Sequence, residues 1–236
     1  LFDAHERVAI KVNTIAGSRF FTHVKVVFSI VQRLMEAGLA AEQIVIYDRS
    51  SSELQDAGYV INQDGPGVRC YGTDGRYTAG WRMIDTPVAL SEILLGCDAL
   101  INVPVLKQHS IAGISYAMKN HYGTLDKPSA FHGQRAGQGL AELNALDPIR
   151  ARTRLIVGDA LTVCTRNWNV ATPGDRLLVS FDPVATDTIA LDLFTELARA
   201  DGVNPASAQA LARRWLDAAG SLKLGANADD QIELVE

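Results

Sequence analysis

Three stretches near the start decide the fold: "RVAIKVN" (7–13), "THVKVVFSIVQRLMEAG" (22–38) and "QIVIYDR" (43–49). The first and third are short runs rich in β-branched residues that end in polar ones, the pattern of strands buried in a sheet. The second carries helical spacing. Thr22 stands where a side chain caps a first turn, Val26, Val27, Ile30, Leu34 and Met35 form one apolar face, and Gly38 marks the stop. "SSSELQDAGY" (50–59) then reads as a capped short helix. A β-α-β-α rhythm of this kind builds a parallel sheet covered by helices. The expectation is an α/β fold: a single domain with a mostly parallel sheet and helices on both faces.

The rest of the chain extends that rhythm. Residues 62–87 are rich in glycine and polar side chains and read as an insertion or lid, with "VRCYG" (68–72) a strand and "TDGRYTAGWRMI" (73–84) a hairpin. "PVALSEILLGC" (87–97) is expected to be helical, "DALINVPVLK" (98–107) is the most hydrophobic strand, and "AMKNHYG" (117–123) starts or continues a helix. "KPSAFHGQRAGQG" (127–139) reads as a flexible loop, followed by helical "LAELNALDPIR" (140–150) and the strands "RLIVGDA" (154–160) and "LLVSFD" (177–182). Two amphipathic helices over 182–202 and 205–220 come next, and "QIELVE" (231–236) is a candidate edge strand.

Composition excludes several classes. The 236 residues carry a formal net charge of −5 with no basic block, so no nucleic-acid footprint is expected. The longest apolar run, "SEILLGCDALINVPVL" (91–106), is interrupted by Glu92, Asp98, Asn102 and Pro104, which argues against a membrane span. Cys70, Cys97 and Cys164 lie far apart without a C-x-x-C pair, so this chain alone is not expected to ligate an iron–sulfur cluster or to build a disulfide framework. The sequence opens on Leu1 without a signal-like region, which leaves a removed targeting segment and a late start equally open.

In parallel sheets, ligands gather where strands end and loops turn into helices. That rule selects Lys11, Asn13 and Arg19; Asp48, Arg49 and Ser50; the segment 107–119; Asp159; and Asp182 with Asp187. His109 suits a metal ligand or a general acid/base, against the plainer role of a loop histidine bonded to the backbone. His121 and His132 are further candidate metal ligands, although no H-E-x-x-H pattern supports them, and His5 and His23 look peripheral. Lys107 and Lys119 suit an anion or, if desolvated, a nucleophile, against the default of solvated surface lysines. Lys11, inside an otherwise apolar strand, either snorkels or meets a buried anion. Asn13 and Arg19 flank "NTIAGSR" (13–19), which would cradle phosphate with the following helix N-terminus, but the stretch is neither G-x-G-x-x-G nor a P-loop. Asp182 fits a helix cap, Asp187 needs another reason, and Asp159 is balanced between cap and site. No G-x-S-x-G, HRD or DFG signature points to covalent hydrolase or kinase chemistry.

Taken together, "VAIKVN", "ALINVPVLKQHSIAGISYAMKNHYG", "FHG", "RLIVGDAL" and "LLVSFDPVATD" resemble the domain of unknown function (DUF) 362 family from Arg7 to about Ala198. The resemblance implies an α/β domain of bacteria and archaea, often exported by the twin-arginine route or fused to a ferredoxin-like module, so a cytoplasmic and a periplasmic location both stay open. A more distant likeness is to the nickel-pincer lactate racemases. It sets His109 on a catalytic histidine, Lys119 on the lysine that carries the cofactor, and His132 on a ligand histidine. This chain departs from them by reading "RSSSEL" (49–54) after the second strand and by lacking a glycine pair before the lysine.

The leading reading is a protein binding a metal or an anionic ligand at a His/Lys site, as a candidate metal-assisted enzyme. In it His109 and Lys119 are catalytic, Lys11, Asn13, Arg19, Lys107, Asn120, Asp159 and Asp187 hold or support the ligand, and His109, His121 and His132 hold a divalent metal. The alternative is a non-catalytic adaptor subunit of a larger redox assembly, or a homo-oligomer, that keeps the scaffold. Exposed Trp81, Trp168 and Trp215 in one patch would favour the adaptor, and buried tryptophans beside an open polar cleft at His109 the ligand site.

Overall fold

The computed structural model describes residues 1–166, 168 and 170–235. The first half alternates β1 (Val8–Lys11), α1 (Val24–Glu36), β2 (Ile44–Tyr47), α2 (Ser51–Asp56) and β3 (Arg69–Cys70). A separate antiparallel hairpin of β4 (Tyr77–Met83) and β5 (Thr86–Ser91) runs into α3 (Glu92–Leu95). Then follow β6 (Ala99–Asn102), β7 (Val105–His109), β8 (Gly113–Ser115), α4 (Ala117–Asn120), α5 (Ala136–Ala145) and α6 (Asp147–Arg150). Two long strands, β9 (Thr153–Arg166) and β10 (Val170–Ser180), precede α7 (Pro183–Ala200) and α8 (Ala206–Ser221).

The main sheet runs β3-β2-β1-β6-β9-β7-β8, with β10 along β9. Pairings among β1, β2, β3, β6, β9 and β7 are parallel, while β8 and β10 join antiparallel. Alternation along each strand assigns the two faces. Val8, Ile10, Ile44, Ile46 and Ile101 pack with Val27, Val31 and Leu34 of α1 and Leu54 of α2. Ala9, Val45, Tyr47 and Leu100 point the other way into a larger core containing Leu140, Phe194, Trp215 and Leu216 from α5, α7 and α8. Helices cover both faces, as the β-α-β-α rhythm requires.

One local break positions the site. The expected single strand over 98–107 is two strands, because Pro104 has no N–H to continue the ladder. β6 pairs with β1 on one side, and β7 leaves β1 to pair with β8, while both stay beside β9. The sheet therefore splits at the carboxyl end of β1. Thr22 ties the split instead of capping α1: its hydroxyl accepts from the Asn13 N–H (2.9 Å) and donates to the Val103 carbonyl (2.7 Å). His23 takes the cap position of α1.

Other expectations shift in detail. Residues 87–91 are strand β5, not helix, since β-branched and apolar residues there find a partner in β4. Met35 is exposed, and the buried stripe of α1 is Val27, Val31 and Leu34. The loop at 127–139 is built of 3-10 turns, with α5 already begun at Ala136. Over 231–235 no strand forms; that expected strand's last residue, 236, lies outside the described residues. No helix among the described residues is long and apolar enough to cross a membrane.

Candidate functional site

Lys11 ends β1 on the same face as Ala9 and is fully buried. Its Nζ meets Asp48, just past β2, at 2.6 Å and donates to the Val12 carbonyl at 2.7 Å. Asp48 also accepts from the Thr14 N–H (2.7 Å), the Thr14 hydroxyl (2.8 Å) and the Arg49 N–H (2.8 Å). Burial works to raise the Asp48 pKa, but Lys11 and these donors overcome it and hold the carboxyl below its ordinary value. Gly123 makes the pair's close packing possible, since a β-carbon there would lie 2.6 Å from Asp48 Oδ1.

Asn120 fills the gap where β7 departs from β1. Its Nδ2 donates to the Lys11 carbonyl (3.2 Å) and to Asn102 Oδ1 (2.7 Å). Its Oδ1 accepts from Lys11 Nζ (3.3 Å) and Asn13 Nδ2 (3.0 Å). A side-chain amide offers two donors and two acceptor lone pairs, so all of its capacity is used. Asn13 continues the chain outward, accepting from Lys107 Nζ at 2.5 Å. The short helix α4 that carries Lys119 and Asn120 is anchored from beneath by Asp187, whose two oxygens accept from the Ala117 (2.6 Å) and Met118 (2.9 Å) N–H groups. Burial pushes Asp187 up to about 7 against those two bonds.

Above this network lies a cavity of about 360 Å³, lined among others by Asn13, Lys107, His109, Lys119, Asn120 and His132. It sits where the strand order reverses from β2 and β3 on one side of β1 to β6 on the other, the position at which open α/β sheets bind ligands. Lys107 and Lys119 are 1% and 7% exposed. Neither ammonium has a carboxylate within ion-pair distance among the described residues. Lys107 lies 5.1 Å from the Trp168 ring centroid, and Lys119 lies 3.9 Å from that of Tyr122. Desolvation lowers Lys107 to about 8; desolvation and the neighbouring Lys107 lower Lys119 to about 7.

His109 Nδ1 accepts from the Ile111 (3.1 Å) and Ala112 (3.2 Å) N–H groups. That leaves the proton of the neutral ring on Nε2. Burial, then the charges of Lys119, His132 and Lys107, lower its pKa to about 3, so it is a neutral hydrogen-bond donor near pH 7. His132 stacks on Tyr122, with ring centroids 5.7 Å apart, and meets His109 edge-on at 6.1 Å.

The cavity thus gathers Asn13, Lys107, His109, Lys119, Asn120 and His132 of the leading reading together with the strand-end candidates Asp48 and Arg49, with Lys11 directly behind them. Others lie elsewhere. His121 is buried outside the cavity, its Nε2 3.4 Å from Asn102 Nδ2, and its Nδ1 has no partner among the described residues. No group of three or more His, Cys, Asp or Glu placed to hold a metal ion occurs among the described residues, and of the three expected metal ligands His109 and His132 line the cavity while His121 does not. Asp159, expected at the ligand, accepts instead from the His23 N–H and His23 Nδ1, each at 2.7 Å. It thereby occupies the N-terminus of α1 where phosphate was expected. Arg19 is exposed and does not line the cavity, and Asp187 acts only through α4. Asn102, Tyr122 and Trp168 were not anticipated. Asn102 falls inside the expected strand over 98–107 and becomes a strand end only through the break before Pro104; Tyr122 and Trp168 enter only through tertiary packing.

Parallel strand ends, a split at the switch point and a lysine-lined cavity define the class as an α/β protein with a polar pocket at the carboxyl edge of its sheet. The chain belongs to the family of the domain of unknown function DUF362, whose sequence profile matches residues 8–192. No curated protein matches. A crystal structure of a Thermotoga maritima protein is similar in fold, with a TM-score of 0.53 at 13% identity over 83% of this chain and 53% of that one. The lactate racemase apoprotein of Thermoanaerobacterium thermosaccharolyticum matches at a TM-score of 0.44 and 10% identity, over 67% of this chain and 43% of that one. The chain spans about half the length of the solved structures it matches.

Proposed function

We propose that this protein binds a small organic anion in the cavity between β1 and β7. The observation that carries the reading is a pair of buried lysines, Lys107 and Lys119, that face one cavity with no carboxylate within ion-pair distance among the described residues. A buried cation without a counter-ion is costly, and an anion arriving from solvent relieves that cost at both nitrogens. In this reading the Nε2–H of His109 donates a further hydrogen bond, and Asn13 and Asn120 hold Lys107 and Lys11 in place. The tryptophans favour it over an adaptor built on an aromatic patch: Trp215 is fully buried, Trp81 packs against the core and Trp168 borders the cavity. Calorimetric titration with oxamate, a compact carboxylate, tests it. Saturable binding that is lost in both Lys107→Met and Lys119→Met is expected; binding unaffected by either substitution would remove the proposal.

A second reading rests on a different surface. Leu177, Val179 and Phe181 are 46%, 64% and 71% exposed along the outer strand β10 and just past it. Such an edge favours a docked protein or a second copy. Sedimentation of the protein beside Val179→Lys tests this: a dimer dissolved by the substitution supports it, and a monomer in both samples counts against self-association.

A further inference from the structure

We propose that Lys119 is a nucleophilic amine that condenses with the carbonyl of a small carboxylate bound in the cavity, forming an imine. The inference rests on the anion-binding reading and adds to it the class of ligand. The internal comparison is with Lys11, which bonds Asn120, the residue after Lys119. Lys11 has what a structural buried lysine needs, a carboxylate at 2.6 Å and a carbonyl at 2.7 Å. Lys107 likewise has Asn13 Oδ1. Lys119 has no hydrogen-bond acceptor among the described residues, only the Tyr122 ring face. A ring face steadies a cation but does not engage the lone pair of the neutral amine, so the nitrogen remains available to attack.

The neighbours divide the remaining work. Lys107, fixed by Asn13, is the anchor for the carboxylate, and its charge disfavours a second cation at Lys119. Burial adds to that effect, and with a pKa near 7 a sizeable fraction of Lys119 is the free amine at neutral pH. His109, neutral with its proton on Nε2, is a donor to the carbonyl oxygen. In the condensation the amine nitrogen bonds the carbonyl carbon while the C=O π pair moves onto oxygen. The oxygen takes one proton from the nitrogen and a second from solvent. The C–O bond then breaks, water leaves, and the nitrogen lone pair closes the C=N bond of a protonated imine. Amine, carbonyl compound and one proton give iminium and water, with no oxidant or reductant.

Pyruvate with cyanoborohydride, which reduces an iminium to a stable secondary amine, tests this by intact mass and peptide mapping. One adduct per chain, located at Lys119, is expected. Its yield should rise as pH increases through about 7, whereas surface lysines require pH near 10. Lys119→Arg keeps the charge and should lower the adduct at least about tenfold, with folding checked by circular dichroism. Lys107→Met keeps the nucleophile and should raise the pyruvate concentration needed for half-labelling by roughly tenfold. Oxamate, which lacks an electrophilic ketone, separates the two readings. Saturable oxamate binding with no adduct at Lys119, or labelling spread over other lysines and unchanged in Lys119→Arg, would overturn the imine and leave the anion site standing. No oxamate binding and no adduct would overturn both.

Discussion

Asp48 and Lys11 show what a single residue contributes at the floor of the site. Both are buried, and each is the other's counter-charge at 2.6 Å. Asp48→Asn leaves the Lys11 ammonium in the core uncompensated, and urea unfolding at pH 7 should give a loss of about 3–5 kcal/mol. The Asp48 pKa is depressed by folding, so its stabilisation is present above the unfolded value of about 3.9 and disappears as pH falls through the folded value. The gap between Asp48→Asn and the parent protein should accordingly narrow below about pH 4. His23 has the opposite sign. Its hydrogen bond to Asp159 raises its pKa, so its contribution is complete below about 6.5 and fades as pH rises through the folded value. Thermal unfolding of His23→Gln should differ most from the parent in mildly acidic buffer and converge with it in alkaline buffer; a difference independent of pH would show that the ring acts through packing alone.

At the level of elements, the site depends on strands that diverge. β6 and β7 are one hydrophobic run divided at Pro104, and the Thr22 hydroxyl bridges the Asn13 N–H and the Val103 carbonyl across that division. Thr22→Val retains the shape but leaves two buried backbone groups without partners. Chemical denaturation should show a loss of roughly 2 kcal/mol or more, and oxamate binding should weaken with it because Asn13 loses its fixed position. Normal stability in Thr22→Val would mean that water replaces the hydroxyl. Gly113 exerts a comparable constraint at the far end of β7: its φ is +82°, and a β-carbon would lie 2.0 Å from the Ala208 carbonyl oxygen of α8. Only glycine lets β8 turn under that helix.

For the molecule as a whole, the proposed anion site couples binding to stability. An anion that binds only the folded chain stabilises it by RT ln(1 + [L]/Kd), about 2.7 kcal/mol at a hundredfold excess over Kd. The melting temperature should therefore rise with oxamate. Lys119 and Lys107 lose their charge near 7 and 8, so the rise should be largest below pH 7 and small by roughly pH 9. A shift that persists unchanged at alkaline pH would locate the anion elsewhere.

The local pattern by itself determined the α/β class, α1 and α2, the buried strands β1 and β2, and the position of the candidate residues at strand ends. Each follows from periodicity, capping side chains and glycine stops, which act over a few neighbouring residues. It also placed Asn13, Lys107, His109, Lys119, Asn120 and His132 on the candidate roster that the cavity gathers. Tertiary structure decided the rest. Asp159 and Asp187 became caps for α1 and α4 because helices distant in sequence present their N–H groups to them. His121 turned away from the cavity, and residues 87–91 became a strand, because a pairing partner outweighs local helical preference. Most of all, the contrast between Lys11 with a carboxylate at ion-pair distance and Lys119 with none among the described residues depends on which groups fold against each nitrogen. Spacing along the chain records only that a lysine is present; the depth of burial and the partner within reach set its charge.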